Sequence, residues 1–332
     1  MQLKSYPLLA LLALGMATSC QDDDDNPPVP DPIQFTAAPF VQNLTRPIGM
    51  SVDRRGQVWV TESGTGQNDA QVSLITTDGR VYPVITGFIS VIANGSVEGI
   101  SHLLYRDGTL YVLEGGTGKL YVVNVSNFRP GDTPLVAQNL ASEDIGTFVR
   151  AQRLTTPVNT NLYNLTFGPD GNLYIVDSGA NAIIKRVSTT KALSVFARFP
   201  NVTPTAEPVP TGIVHDGQKF LVSTLSGAPF VTGTAKIFQV SMTGAVSEFR
   251  SGFTTLTDVV LTANNHPIVI EYGQFAFSPP PPGFVVRSGR IANSEGAALL
   301  SSLDRPIDIE RVNDRTYYVL SNGDGTLQKL SY

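Results

Sequence analysis

Residues 161–200 decide the fold. They read Asn161-Leu162-Tyr163-Asn164-Leu165-Thr166-Phe167, Gly168-Pro169-Asp170-Gly171, Asn172-Leu173-Tyr174-Ile175-Val176-Asp177, then Ser178-Gly179-Ala180-Asn181, the alternating run Ala182 to Val187, and Leu193 to Phe199. Four short runs rich in β-branched and aromatic residues are separated by turn residues, the pattern of strands. Pro169-Asp170-Gly171 is a hairpin turn. Pro169 presets φ, Asp170 tolerates turn geometry and Gly171 takes φ > 0. The stretch predicts a four-stranded antiparallel meander.

Five further copies align on the start of its first strand, at Gly49, Gly99, Gly212, Asp258 and Asp308, with Asn164 the equivalent position here. Each is followed by a turn (Arg54-Arg55-Gly56, Arg106-Asp107-Gly108, His215-Asp216-Gly217, Asn264-Asn265, Asn313-Asp314) and a second apolar run. Self-similarity at this period is the signature of a propeller. The last copy stops at Tyr332 after its third run, Thr326 to Leu330. The N-terminal run Phe40 to Leu44 resembles the fourth-strand pieces Leu135 to Leu140 and Val195 to Phe199. The expectation is an all-β fold, a six-bladed β-propeller of four-stranded antiparallel blades over residues 34–332, with its ring closed by the N-terminal strand so that no edge is left open. The longest interval between copies holds Ser142 to Leu154, read as a short amphipathic helix capped by Ser142, with Ile145, Phe148 and Val149 on one face. Such a helix either lids the channel mouth or packs on the ring. Two loops between second and third strands stand out, Leu225 to Gly233 and the long, aromatic and Pro-rich Tyr272 to Gly289.

Composition supports a folded chain: of 332 residues, 42% are hydrophobic and 15% charged. Four acids cluster at Asp22 to Asp25, so the formal charge of -5 leaves the folded part near neutral. No Lys/Arg run appears, which argues against nucleic acid. Residues 1–19 read as an export signal: Lys4, an apolar run Tyr6 to Met16, then Ala17-Thr18-Ser19 before Cys20, the only cysteine. Small residues before a lone cysteine fit a lipoprotein signal with Cys20 as the lipidated residue and the membrane as partner; the alternative is a secretory signal with an incidental cysteine. Residues 20–33 are an acidic, Pro-rich tether. The Asp22–Asp25 run resembles the export signal that follows the lipidated cysteine in surface lipoproteins of the Bacteroidetes. This implies an outer-membrane lipoprotein exposed at the cell surface, with inward, periplasmic anchoring as the alternative. A monomer is expected.

The quoted core, with Val195-Phe196-Ala197-Arg198-Phe199-Pro200, Pro208-Val209-Pro210-Thr211-Gly212, Leu225-Ser226-Gly227-Ala228-Pro229-Phe230, Gly252-Phe253-Thr254-Thr255-Leu256-Thr257-Asp258 and Thr61-Glu62-Ser63-Gly64-Thr65-Gly66, resembles the ScyD/ScyE family. The resemblance spans most of residues 40–332. It implies a fold and an exported location and no particular reaction. Asp177, Asn181 and Ile184 also fit the spacing of NHL repeats.

In a propeller the first strand starts and the second ends on the same face. Acids ending second strands are Glu62, Glu114, Asp177 and Glu271; openers of first strands include Glu98, Asn164, Asp258 and Asp308. Hard oxygen ligands of this kind suit Ca²⁺ or Mg²⁺. The competing reading is that each second-strand acid accepts backbone N–H groups at its own blade turn. No nucleophile stands beside His102, His215 or His266, although His102 falls inside a first strand and could face the channel. Two functions remain open. One is a binding module whose loop-rich face, with Glu62, Glu114, Asp177, Glu271, Phe230, Phe275 and Phe277, takes a glycan, peptide or protein. The other is a divalent-metal-dependent hydrolase or lactonase holding its ion with Glu98, Asn164, Asp258 and Asp308, by analogy with gluconolactonase-type propellers.

Overall fold

The computed structural model describes residues 1–2, 29–93 and 95–332; Cys20 and Asp22–Asp25 lie outside the described residues. Six four-stranded antiparallel blades surround one axis. The innermost strands are Pro47–Val52, Ile100–Arg106, Leu162–Phe167, Pro210–His215, Leu256–Leu261 and Pro306–Asn313. The second strands are Val58–Glu62, Thr109–Glu114, Leu173–Asp177, Lys219–Thr224, Pro267–Glu271 and Thr316–Ser321. Thr36–Val41 pairs antiparallel with Thr326–Ser331 and supplies the missing outermost strand of blade six, as expected from the sequence.

The second strands are buried on both faces, and their alternation divides the core. In blade three, Leu173 and Ile175 pack toward blade two with Leu113 and Leu120, while Tyr174 and Val176 pack toward blade four with Phe220 and Val222. Each joint between blades has its own apolar cluster of this kind. A one-residue slip in any second strand would exchange its two packing partners.

Every innermost strand carries a bulge one to two residues after its start, for example between Pro47 and Met50 and between Leu162 and Asn164. A bulge removes ladder pairing locally and leaves backbone groups to be satisfied by other means. The joints use them. In all six, a side chain of one blade donates to the carbonyl of the first residue of the next innermost strand. The donors are Ser63 to Ile100 at 3.4 Å, Ser101 to Leu162 at 2.6 Å, Ser178 to Pro210 at 2.5 Å, Thr211 to Leu256 at 2.9 Å, Thr257 to Pro306 at 3.2 Å, and Asn322 to Pro47 at 3.0 Å.

Two sequence expectations are corrected. The outermost strand of blade two is Ser142–Asp144, paired with Lys119–Tyr121, and not Leu135 to Leu140. Leu135–Val136 instead runs parallel to the outermost strand of blade one, because Leu135, Ala137 and Leu140 pack into the cluster between blades one and two. The helix is therefore shorter, Ile145–Ala151, and is capped by Asp144, whose Oδ1 accepts from Thr147 N–H at 2.9 Å. Ile145 and Val149 enter the core between blades two and three, and the Glu143 carboxylate receives Arg186 through two bonds of 2.6 and 2.7 Å. The helix packs on the ring.

If the joint bonds hold the ring, Ser101→Ala lowers unfolding free energy by about 0.5–1.5 kcal/mol, the net worth of one buried hydrogen bond. Urea denaturation measures it against Ser188→Ala, which removes a comparable 2.6 Å bond at an exposed turn and leaves the midpoint unchanged.

Candidate functional site

The bulges fix which residue of each innermost strand reaches the axis. Two residues after the strand start stand Gly49, His102, Asn164, Gly212, Asp258 and Asp308. The equivalent position in blade two is thus His102 and not Gly99. Glu98 belongs to a separate hairpin, Val91–Ala93 with Ser96–Glu98, and does not line the axial cavity; its residue surface is exposed, although the surroundings of its carboxyl desolvate it enough to push it up, and its charge reaches Tyr163.

The two glycines shape the ring. A Cβ on Gly49 would stand 2.6 Å from His102 Cα, and one on Gly212 would stand 2.5 Å from Asp258 Oδ1. With no side chain there, residues of the flanking blades meet across the gap. Asn164 Nδ2 donates to Asp258 Oδ1 at 3.3 Å across Gly212. His102 Nε2 lies 3.7 Å from Asp308 Oδ2 across Gly49. The ring also satisfies amides near the bulges: Asp308 Oδ2 accepts from Met50 N–H at 2.6 Å, Asp258 Oδ2 from Ile309 N–H at 3.1 Å, and Asn164 Oδ1 from Leu165 N–H at 2.7 Å. A cavity of about 200 Å³ lies on the axis, reaching down to Glu310.

Burial governs the charge of this ring. It raises Asp258 to about 6, Asp308 well above the ordinary carboxylate range, and Glu310 to about 8, with Asp258 adding repulsion to both Asp308 and Glu310. Asp308 is pushed up further than Asp258, because repulsion from Asp258 and Glu310 adds to its burial, so Asp308 keeps its proton more readily. His102 is held down to about 3 by burial. Its Nδ1 contacts the Tyr163 carbonyl at 2.9 Å, and a carbonyl only accepts, so Nδ1 carries the proton and Nε2 is left without a partner. Tyr163 lies against His102, their ring centroids 4.6 Å apart, and its phenol is pushed well up, first by burial and then by Tyr272, the two aspartates and Glu98.

The four acids ending second strands are all buried and share a common role. Each accepts an N–H from the loop entering its own blade: Glu62 from Thr45 at 2.6 Å, Glu114 from Ile89 at 3.4 Å, Asp177 from Asn161 at 2.7 Å and Glu271 from Thr254 at 3.2 Å. Their remaining capacity goes to Ser73, Thr117, Thr160 and Ala180, and a two-bond contact with Arg290. They clasp loops at the blade turns.

Above the axis, on the same face, a cleft of about 550 Å³ opens between blades six and one and is walled by Arg46, Arg305, Tyr272, Phe284, Asn322 and the tip of the Val91–Glu98 hairpin. Phe230, Phe275 and Phe284 stack on one another at 5.1 to 5.4 Å, Phe284 meets Tyr272 edge-on at 4.8 Å, and Phe277 extends from the cluster 61% exposed. Sequence reasoning named these aromatics but passed over Arg46 and Arg305. Both precede a proline that starts an innermost strand, and that repeated Arg-Pro pair was the available signal.

No protein-family model matches the chain, and no curated protein matches its sequence. Solved structures do. A catalytically inactive virginiamycin B lyase of Staphylococcus aureus with quinupristin is 15% identical over 90% of this chain and 99% of its own, with a TM-score of 0.52. A gluconolactonase candidate is 14% identical over 90% and 92%, at 0.54. The PQQ-bound aldose sugar dehydrogenase of Streptomyces coelicolor is 12% identical over 91% and 99%, at 0.57. At these identities the likeness shows the six-bladed fold and nothing finer.

The axial acids give a pH dependence with a definite sign. Folded, they keep protons that the unfolded chain releases near pH 4, so stability falls as pH rises from there through about 6 to 8. His102 contributes the opposite slope below about 6.5, where only the unfolded chain takes its proton. Asp308→Asn keeps an acceptor for Met50 N–H and removes one acid. Urea denaturation from pH 5 to 8 in chelator should show the fall shallower by about one proton; an unchanged slope would refute the assignment.

Proposed function

We propose that this chain is a binding module of the cell envelope that presents the cleft on its loop-rich face to a ligand. The carrying observation is the cleft itself, about 550 Å³ with two guanidiniums and an aromatic wall, within the size of small-ligand sites, roughly 300–1,000 Å³. The ScyD/ScyE resemblance and lipidation at Cys20 belong to this reading, with the protein on the outer membrane facing the exterior. One feature supports an outward-facing cleft. Asn264 donates to the Val29 carbonyl at 2.9 Å and to Asp31 at 3.0 Å, and His266 pairs with Asp31. These contacts are made at the turn between the first two strands of blade five, on the face opposite the cleft. In this reading an anchor at Cys20 approaches the ring from the face opposite the cleft.

A second reading, a divalent-metal-dependent hydrolase or lactonase, is favoured by the meeting of Asn164, Asp258 and Asp308 beside the unpartnered Nε2 of His102. The fit to Ca²⁺ or Mg²⁺ is partial. Asp258 and Asp308 offer hard oxygens, but Asn164 turns its amide nitrogen inward, and Glu98 stands outside. A bound ion would supply Lewis-acid polarisation of a carbonyl. Asp258 and Asp308 would hold it.

Two measurements decide. On glycan and peptide arrays the wild type should retain ligands that Phe284→Ala and Tyr272→Ala both lose; binding indifferent to both substitutions removes the cleft from the account. In thermal unfolding, the binding-module reading expects millimolar Ca²⁺ or Mg²⁺ to leave the midpoint unmoved. A rise abolished by Asp258→Ala would favour the hydrolase.

A further inference from the structure

We infer that the cleft selects an acidic sugar, a pyranose ring carrying a carboxylate, as in a hexuronate. This rests on the binding-module reading and names its ligand.

The argument begins with what the fold demands at Arg46 and Arg305. Both sit just before an innermost strand in the left-handed region, with φ of 49° and 50°. Their carbonyls accept from Ser63 and Asn322 N–H at 3.0 Å each. Blades four and five build the same loop with Val209 and Thr255, at φ of 49° and 46°, whose carbonyls accept from Leu225 and Tyr272 at 2.9 Å each. The loop therefore requires the backbone conformation and that carbonyl, and places no requirement on the side chain. Arginine in two neighbouring blades is not a folding element. A left-handed non-glycine residue is strained wherever it occurs, and valine and threonine meet that strain as arginine does.

Nor are the guanidiniums consumed. Among the described residues Arg46 has no carboxylate within ion-pair distance and is exposed. Arg305 pairs with its neighbour Asp304 at 3.1 Å and keeps further donors. Both lie close enough to the Tyr272 hydroxyl to favour its ionised form against the burial that opposes it. The cleft therefore holds two cations, suited to a planar carboxylate that a guanidinium can bind through two parallel bonds. In the same wall stand Phe284 and Tyr272, set edge-on to each other and backed by the Phe230 and Phe275 rings, so that either ring offers an apolar surface for the C–H face of a sugar ring. The hairpin adds the Ser96 hydroxyl to the lining, a polar group suited to ring hydroxyls. An isolated phosphate would use the cations and leave the aromatic wall idle; a neutral sugar would do the reverse.

Titration calorimetry with trigalacturonate, its carboxyl-reduced neutral counterpart and inorganic phosphate tests this. Trigalacturonate should bind the wild type, weaken about tenfold or more with Arg46→Gln, as expected for loss of one charge-assisted contact, and weaken with Phe284→Ala and with added salt. The neutral trisaccharide and phosphate should each bind at least about tenfold more weakly than the acid. Arg315→Gln, at the remote turn of blade six, should change nothing. Equal binding of the neutral sugar, equal binding of phosphate, indifference to Arg46→Gln, or no binding of trigalacturonate overturns the inference. The arrays separate that failure from the wider one: a Phe284-dependent ligand of another class keeps the binding module and discards the acidic sugar, and the absence of any such ligand discards both.

Discussion

The bulge in each innermost strand is the constraint on which the rest depends. Six strands converging on one axis cannot all present the same face to it at full ladder pairing without crowding their side chains. The bulge gives up one or two ladder positions in each blade. It frees the first carbonyl of the strand for the preceding blade, and leaves amides such as those of Gly49 and Gly212 to be met by Thr61 and Ser223, each at 2.9 Å. Closure of the ring, the identity of the axial residues and the depth of the cavity all follow from that one local device.

It also explains what could and could not be read beforehand. Strand order, blade number and closure by the N-terminal strand were legible, because alternation and turn residues repeat through the chain; the closing strand is Thr36–Val41, set earlier than the run Phe40 to Leu44 that the pattern suggested. The axial residue of blade two was not. Gly99 matched Gly49 by type, but the bulge sets the register by hydrogen bonding, and no residue type marks where it falls; His102 took the place. Leu135–Val136 misled for a related reason. Its pattern is that of an outermost strand, but the apolar face it fills belongs to the joint with blade one, so it pairs there in parallel. Tertiary context overrode a correct local reading of strand.

The candidate sites divide the same way. Acids recurring at the ends of second strands were plain in the sequence, and their recurrence was the clue to a structural role. Every blade needs its entering loop tied down, so a residue found in most blades answers a need of blades. Residues that break the repeat carry the individuality of the molecule. Arg46 and Arg305 replace a position that is Val209 or Thr255 elsewhere, and they become neighbours only because the first and last blades meet. A separation of more than two hundred residues hid that pairing until the ring was closed.

The axial ring and the cleft solve opposite electrostatic problems within one face. On the axis, carboxyls are crowded and buried, and burial raises all three, which lowers the charge the axis carries. A divalent ion would be the other way to relieve the same crowding. In the cleft, Arg46 is exposed with no ion-pair partner among the described residues, and Arg305 pairs with its neighbour Asp304 and keeps further donors. Tyr163 lies against His102, with its phenol under the influence of both aspartates and of Tyr272. The cleft and the axial cavity share no lining residue, so an anion held by the guanidiniums sits apart from buried carboxyls that would repel it if ionised. A binding function in the cleft therefore requires no chemistry on the axis.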